Sequence, residues 1–151
     1  MKNLFAAIAG VAVLVAGIGG LLYARNSAPI VAPISPDDPA VRSRPYVVKL
    51  HAKWCPVCMM TKGVWSQLEE TYRGRVNFVV LDFTNEAAWT ASRAEAKRLG
   101  LEKTFDDFAG ATGVICILDA GSKTMRKDIK GSRDLADYSA AIDAALSTSP
   151  H

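Results

Sequence analysis

Cysteine and histidine are scarce in this chain: three cysteines and two histidines occur among its 151 residues. An odd number this small is not the dense framework of a small protein stapled by disulfides. The net charge of +3 is low, and the Lys and Arg residues are dispersed, so the composition gives no indication of nucleic-acid binding. No internal repeat is visible. The length alone allows one domain, and half of the residues are hydrophobic.

Two of the three cysteines stand close together. Trp54 precedes Cys55, and Pro56 and Val57 separate Cys55 from Cys58. An apolar run lies upstream, and a helix is predicted to start near Cys58. A helix N-terminus carries unpaired N–H groups and the positive end of the helix dipole, which stabilise a thiolate. The spacing therefore predicts a redox-active pair.

A CxxC pair is also compatible with half of a zinc site. Such a site needs two more ligands, and this chain offers only His51, Cys116 and His151, none at a paired spacing. The redox interpretation is favoured, and no metal is expected.

The N-terminal block has no charged residue from Leu4 to Ala24, a stretch of 21 residues (4–24). About 20 apolar residues span the hydrocarbon core of a bilayer. Lys2 precedes the block and Arg25 follows it. A cleavable signal has a shorter apolar region and a small-residue cleavage pattern, which this segment fits poorly. Residues 1–25 are therefore predicted to form a transmembrane anchor, with a cleaved signal as the alternative.

Residues 26–45 are predicted to be a proline-rich linker. They contain five of the seven prolines, and proline removes backbone donors and fixes φ. We expect neither a helix nor a central strand here, but a semi-extended tether between the anchor and the domain.

Residues 46–147 alternate between strand and helix patterns. The order is strand, CxxC, helix, strand, helix, strand, strand, helix. Strands joined through a helix run parallel, and strands joined by a tight turn run antiparallel. The pattern predicts an α/β fold whose central mixed sheet of about four strands has helices on both faces. The predicted elements are strands 46–52, 76–82, 114–118 and 124–130, helices 59–72, 86–99 and 133–146, and a helical turn at 101–108.

The CxxC stretch, the element order and the segment from Gly113 to Gly121 together resemble the thioredoxin-like superfamily, in its three-layer fold. With the anchor, the chain is similar to membrane-tethered thiol:disulfide oxidoreductases of the bacterial cell envelope. The Trp-Cys-Pro-x-Cys form resembles the periplasmic reductants of cytochrome c maturation. This resemblance implies a single-pass inner-membrane protein with its C-terminal domain in the periplasm, or a secreted periplasmic form if the signal is cleaved.

The same resemblance implies a role for each residue of the motif. Cys55 would attack a partner's disulfide and Cys58 would resolve the mixed disulfide, with no cofactor. Trp54 would shield the site and contact partners, as would Pro56. Pro56 and Val57, which lie between the cysteines, would tune the reduction potential. The partners would be protein thiols and disulfides, with an upstream electron donor that the sequence does not name.

Two positions depart from the family's usual pattern. Gly113, preceded by Thr112, stands where the family usually has a cis-proline before the third strand. We expect Thr112 and Gly113 to contact partners, with Gly113 offering an open backbone edge for a partner strand. Lys49 replaces a buried acid of the family, and its ammonium is expected to reach the surface rather than to stabilise a thiolate. The segment 86–108 is longer than in the smallest members and is expected to cover the site or bind a partner.

The remaining sulfur and imidazole groups have simpler interpretations. Cys116 is expected to be a buried apolar residue within a strand. His51 is a core or surface residue, or a group that lowers the pKa of Cys55. Met60 is expected in the core, although Met59 and Met60 beside two thiolates also fit a copper-handling protein. The alternatives to a redox enzyme are therefore copper handling and a non-catalytic thioredoxin-like binding module.

Overall fold

The computed structural model describes residues 34–149, which form a four-stranded mixed sheet with flanking helices. In chain order the elements are α1 (Pro39–Arg42), β1 (Tyr46–His51), α2 (Pro56–Met60), α3 (Lys62–Thr71), β2 (Asn77–Asp82), α4 (Glu86–Leu99), α5 (Glu102–Asp107), β3 (Val114–Leu118), β4 (Met125–Lys130) and α6 (Leu135–Ser147).

The sheet has the strand order β2-β1-β3-β4. β1 and β2 run parallel, with Tyr46 opposite Asn77 and His51 opposite Asp82. β3 is antiparallel to β1 and to β4. The helical connection between β1 and β2 and the short turn between β3 and β4 produce this mixture, which confirms the predicted sheet.

Side chains of β1 alternate between two packed layers. Tyr46, Val48 and Leu50 belong to a core cluster shared with α4, α5 and β3. Lys49 faces the opposite layer, where its Nζ lies 5.1 Å from the centre of the Trp65 ring on α3. The central strand is buried on both sides, as its nearly continuous apolar sequence predicts.

Helix α4 has the ends that its sequence predicts. The Asn85 side chain accepts a hydrogen bond from the Ala88 N–H at 2.9 Å, which caps the N-terminus. Gly100 ends the helix in the left-handed region at φ +66°. Trp89, Phe105 and Phe83 then pack as an aromatic group with ring centroids 4.8–5.5 Å apart. The segment 86–108 thus contributes to the hydrophobic core.

The predicted helix 59–72 is two helices, and this changes which residues face inward. The helix is interrupted at Thr61, which is 2% exposed. The Thr61 hydroxyl donates a hydrogen bond to the Val57 carbonyl at 2.9 Å. Beyond the break, Thr61, Val64 and Leu68 form the buried side, and Met60 is left 54% exposed. The expectation that Met60 belongs to the core is wrong, because the buried side of this segment includes Thr61, Val64 and Leu68 but not Met60.

The predicted linker contains one helical turn, α1, so the expectation of no helix in residues 26–45 is wrong at this point. Asp38 accepts a hydrogen bond from Ala40 N–H at 2.8 Å, and Pro39 occupies the first turn, where a missing N–H costs nothing. Val41 is buried in the core cluster. Burial of one apolar residue and a good cap stabilise a turn that the proline content alone argues against.

The predicted anchor, residues 1–25, lies outside the described residues. Within residues 34–149, no helix has both the length and the apolar character needed to cross a bilayer.

Candidate active site

Cys55 lies at the point where the chain leaves β1 and enters α2. It is the N-cap of α2 with an extended backbone (φ −82°, ψ 114°), and Pro56 follows at the first helical position. Its Sγ accepts a hydrogen bond from the Cys58 N–H at 3.2 Å. The sulfur therefore takes the place that an Asp or Ser oxygen occupies in an ordinary N-cap.

The pKa of the Cys55 thiol is lowered from its ordinary value. Burial acts to raise this pKa, but hydrogen bonds from Cys58, from the Thr112 side chain and from backbone N–H groups of α2 outweigh it. These donors stabilise the thiolate, which is the nucleophilic form of cysteine.

Cys58 lies deeper in the structure and has the opposite tendency. It is 1% exposed, and its thiol contacts the Leu50 carbonyl at 3.8 Å. Burial and the hydrogen bond that it gives to Cys55 raise the pKa of the Cys58 thiol. The two neighbouring sulfurs are thus unequal: Cys55 favours the thiolate and Cys58 the thiol.

Lys49 does not reach the surface. It is 7% exposed, and its ammonium lies over the Trp65 ring. Burial lowers the pKa of Lys49, and the charges of Cys58 and Glu69 act against this shift. The expectation of a surface ammonium is wrong, because the indole face offers a cation–π contact within the layer beneath the cysteines.

Gly113 and Thr112 border the cysteines, but the backbone of Gly113 is already used. Its N–H donates to the Leu50 carbonyl at 2.9 Å, and its carbonyl accepts from Gly131 N–H at 3.2 Å. The expected open edge is therefore not at Gly113. In residues 34–149, the backbone N–H and C=O of Thr112 have no such backbone partner.

Trp54 projects beside the cysteines and is 61% exposed. Its Nε1 donates to the Thr84 carbonyl at 3.1 Å, and the Thr84 hydroxyl accepts from Lys53 N–H at 2.9 Å. Asp82 holds Thr84 through both the Thr84 N–H, at 2.8 Å, and the hydroxyl. Sequence reasoning missed this support, although an Asp two residues before a Thr at the end of a buried strand is a recognisable turn signal.

The other residues considered from sequence lie as follows. Pro56 and Met59 are exposed, while Cys116 is fully buried in β3. His51 ends β1, and burial lowers the pKa of its imidazole; its Nδ1 is buried without a hydrogen-bond partner in the part of the chain that the structure describes. Across residues 34–149, no three His, Cys, Asp or Glu side chains come together as metal ligands would.

Comparison with known proteins supports the fold. The thioredoxin family model matches residues 38–97. A solved thioredoxin-like protein in its oxidized form is 10% identical, with a TM-score of 0.53, covering 79% of this chain and 88% of its own. A thioredoxin-like superfamily protein is 13% identical, with a TM-score of 0.50, covering 73% and 85%. A thiol:disulfide interchange protein from Chlorobium tepidum is 22% identical, with a TM-score of 0.48, covering 71% and 83%.

No curated protein sequence matches the chain. Residues 34–149 have a thioredoxin-like α/β fold, in which Cys55 and Cys58 are near neighbours at the start of α2.

Proposed function

We propose, from this thioredoxin-like fold and its cysteine pair, that the protein carries out thiol:disulfide exchange with other proteins. The observation that carries the proposal is the inequality of the two sulfurs. Cys55 caps α2 and has a lowered pKa, whereas Cys58 is buried behind it with a raised pKa. Cys55 is the thiol that ionises more readily and is the proposed nucleophile, and Cys58 is the proposed resolving thiol.

In the reducing direction the Cys55 thiolate attacks one sulfur of a partner disulfide. A mixed disulfide forms, and the other partner sulfur leaves as a thiolate. Cys58 then loses its proton and attacks Cys55 Sγ, which breaks the mixed disulfide and releases the second partner thiolate. The partner gains two electrons, and Cys55 and Cys58 become a disulfide. A dithiol donor must reduce this disulfide before the next cycle.

Trp54, Pro56 and Thr112 are the proposed contact residues for partners, whereas Gly113, the fourth residue predicted from sequence, is buried with its N–H and C=O already hydrogen-bonded. Trp54 and Pro56 are exposed beside Cys55, and Trp54 is held by Thr84. Among residues 34–149 the backbone of Thr112 has no backbone hydrogen-bond partner, and its side chain lies near the Cys55 sulfur. Together they border the sulfur with an apolar surface and a short strand edge, which suits an extended polypeptide.

The proposed direction is reduction, and the proposed location is the periplasmic side of a membrane. The Trp-Cys-Pro-x-Cys sequence supports the first, by its resemblance to periplasmic reductants. The uncharged block 4–24 supports the second, because it has the length of a membrane-spanning segment. Cleavage of this block would give a secreted form with the same chemistry.

The exchange proposal is tested by reduction of insulin disulfides with the full chain and dithiothreitol. We expect turnover by the wild type, none by Cys55→Ser, and accumulation of mixed disulfides by Cys58→Ser. Cys116→Ser is the matched control and should keep the activity. A wild type that reduces no disulfide while remaining folded would overturn the proposal.

The direction is tested separately by the reduction potential of the Cys55–Cys58 pair. A value near about −270 mV is expected for a reductant, and one near about −120 mV would identify an oxidant. Fractionation of cells that express the full chain tests the location, with recovery in the membrane fraction as the expected result.

A further inference from the structure

Val57 lies over two glycines beside the reactive sulfur. Its side chain packs against the small cluster of Ala52, Cys55 and Cys58. Gly113 and Gly131 also lie against this side chain, both with positive φ, at +77° and +69°. The Val57 side chain therefore packs against two backbone positions whose conformation only glycine adopts readily.

The distances show that Val57 fills the space that a side chain at position 113 would need. A Cβ placed on Gly113 would lie 2.6 Å from Val57 Cγ1 and 2.7 Å from Val57 Cβ. The same point is 3.5 Å from Cys55 Sγ, so the volume that Val57 occupies borders the sulfur directly. At Gly131 a Cβ would come within 3.1 Å of the same Val57 methyl. Valine, rather than any residue at 113 or 131, therefore forms this wall of the site.

Val57 is more exposed to solvent than the cysteine beside it. Cys55 is 3% exposed, although it is the proposed nucleophile. Val57 is only partly buried, and it packs against the cluster that contains Cys55. A side chain with one face on the cysteine cluster and another face in solvent covers what lies beneath it.

We propose that Val57 is a specificity-determining residue that restricts access to Cys55. Its isopropyl group, seated on Gly113 and Gly131, leaves the sulfur reachable by disulfides on slender, extended segments and hinders bulky ones. The inference rests on the proposed exchange function for its biological meaning. The cover itself is a geometric property that can be measured without turnover.

The test compares alkylation of Cys55 by a small reagent, N-ethylmaleimide, and by a bulky reagent with the same reactive group, fluorescein maleimide. The full chain is used, and mass spectrometry locates the modified cysteine. Val57→Ala is expected to raise the bulky-to-small rate ratio about tenfold, equivalent to roughly 1.4 kcal/mol of relieved obstruction. A change in the Cys55 pKa affects both reagents in the same way, so the ratio isolates access.

Val80→Ala and Met59→Ala are the matched controls. Val80 is 45% exposed on β2, and Met59 is 62% exposed on the same short helix as Val57. Both should leave the ratio unchanged. An unchanged ratio in Val57→Ala, or an equal rise in Met59→Ala, would overturn the proposal. If the wild type does not reduce insulin but Val57→Ala still raises the ratio, the proposed exchange function is wrong. The proposal that Val57 restricts access to Cys55 then still holds.

A double-mutant cycle independently tests the contact between Val57 and Gly113. Gly113→Ala introduces the clash with Val57 as well as the cost of a positive φ, whereas in Val57→Gly only the backbone cost remains. The urea midpoint should therefore fall further for Gly113→Ala in the wild type than in Val57→Gly. If Gly113→Ala alone does not fold, recovery of the circular dichroism spectrum in the double variant is the expected result. Equal losses in the two backgrounds, or no recovery, would show that Val57 is not seated as proposed.

Discussion

Cys55 and Cys116 are hidden from solvent to nearly the same degree, but their surroundings move the two thiol pKa values in opposite directions. Cys55 is 3% exposed and Cys116 is 0% exposed. The pKa of Cys55 is lowered, while burial and the negative charge of Asp128 raise the pKa of Cys116 to about 12.

Part of the difference lies in the stronger desolvation of Cys116 and its Asp128 neighbour, and part lies in the hydrogen-bond donors around Cys55. Cys55 caps a helix, where N–H groups without helical partners point at its Sγ. Cys116 lies in the middle of β3, between Val48 of β1 and Asp128 of β4, where the neighbouring N–H groups belong to the sheet. A buried cysteine is thus more reactive where backbone N–H groups can hydrogen-bond to its sulfur, and less reactive where the neighbouring N–H groups are already paired within the sheet.

The strongest test of this contrast is the relative reactivity of the two thiols. At pH 7, a thiol with a pKa of about 12 is ionised in only about one part in 10⁵. Iodoacetamide should therefore modify Cys55 in the folded chain within minutes and leave Cys116 untouched. Peptide mapping of the alkylated protein measures this, and a urea-unfolded sample, in which all cysteines react, is the control. Equal labelling of Cys55 and Cys116 in the native chain would show that the two thiols do not differ in reactivity.

Thr112→Val tests how much one side-chain donor contributes. The Thr112 hydrogen bond helps to lower the pKa of Cys55. A hydrogen bond to a charged group stabilises that charge, so loss of this donor should raise the pKa of Cys55. The pH dependence of alkylation reports the shift. Thr112→Ser keeps the hydroxyl and should keep the wild-type profile; if serine and valine behave alike, the hydroxyl is not the cause.

Much of the molecule follows from local sequence signals. Asn85 and Gly100 mark the ends of α4, and β1, β2 and β3 are largely apolar runs, whereas β4 is a charged strand that follows a tight turn. The helical connection and the tight turn then determine the strand directions. The pair Cys55 and Cys58 was visible because strand, CxxC and helix are adjacent in sequence, so that no long-range contact is needed to place the sulfurs on a helix N-terminus.

What sequence did not predict depends on contacts between distant segments. The interruption at Thr61 is a local exception, where the Thr61 hydroxyl bonds back to the Val57 carbonyl and Thr61, rather than Met60, is buried. The seat of Val57 needs Gly113 and Gly131, which come from the two ends of a hairpin. Trp54 is fixed by Thr84, thirty residues further along the chain. No periodicity in a single segment contains this information.

Lys49→Met tests the charge that lies beneath the cysteines and should have the smallest effect on the contrast. The Lys49 ammonium favours a thiolate at Cys58 and Cys55, whereas Asp128 opposes one at Cys116. Removing it should therefore raise the pKa of Cys55 by less than Thr112→Val does. The same change should increase the free energy of unfolding at pH 7 by about 1 kcal/mol, because replacing a buried charge with an apolar side chain of similar volume is often stabilising.

The pH dependence of this stability gain separates the charge from simple packing. The pKa of Lys49 is lower in the folded state than in the unfolded chain, so its burial cost is complete below the folded pKa and disappears as the pH rises toward about 10.4. Urea midpoints should show the advantage of Lys49→Met at pH 7 and its loss near pH 10. Lys127→Met, at an exposed lysine of β4, should give no such gain at either pH. A gain of Lys49→Met that persists at high pH would mean that methionine packs better against Trp65 and that the buried charge is not its cause.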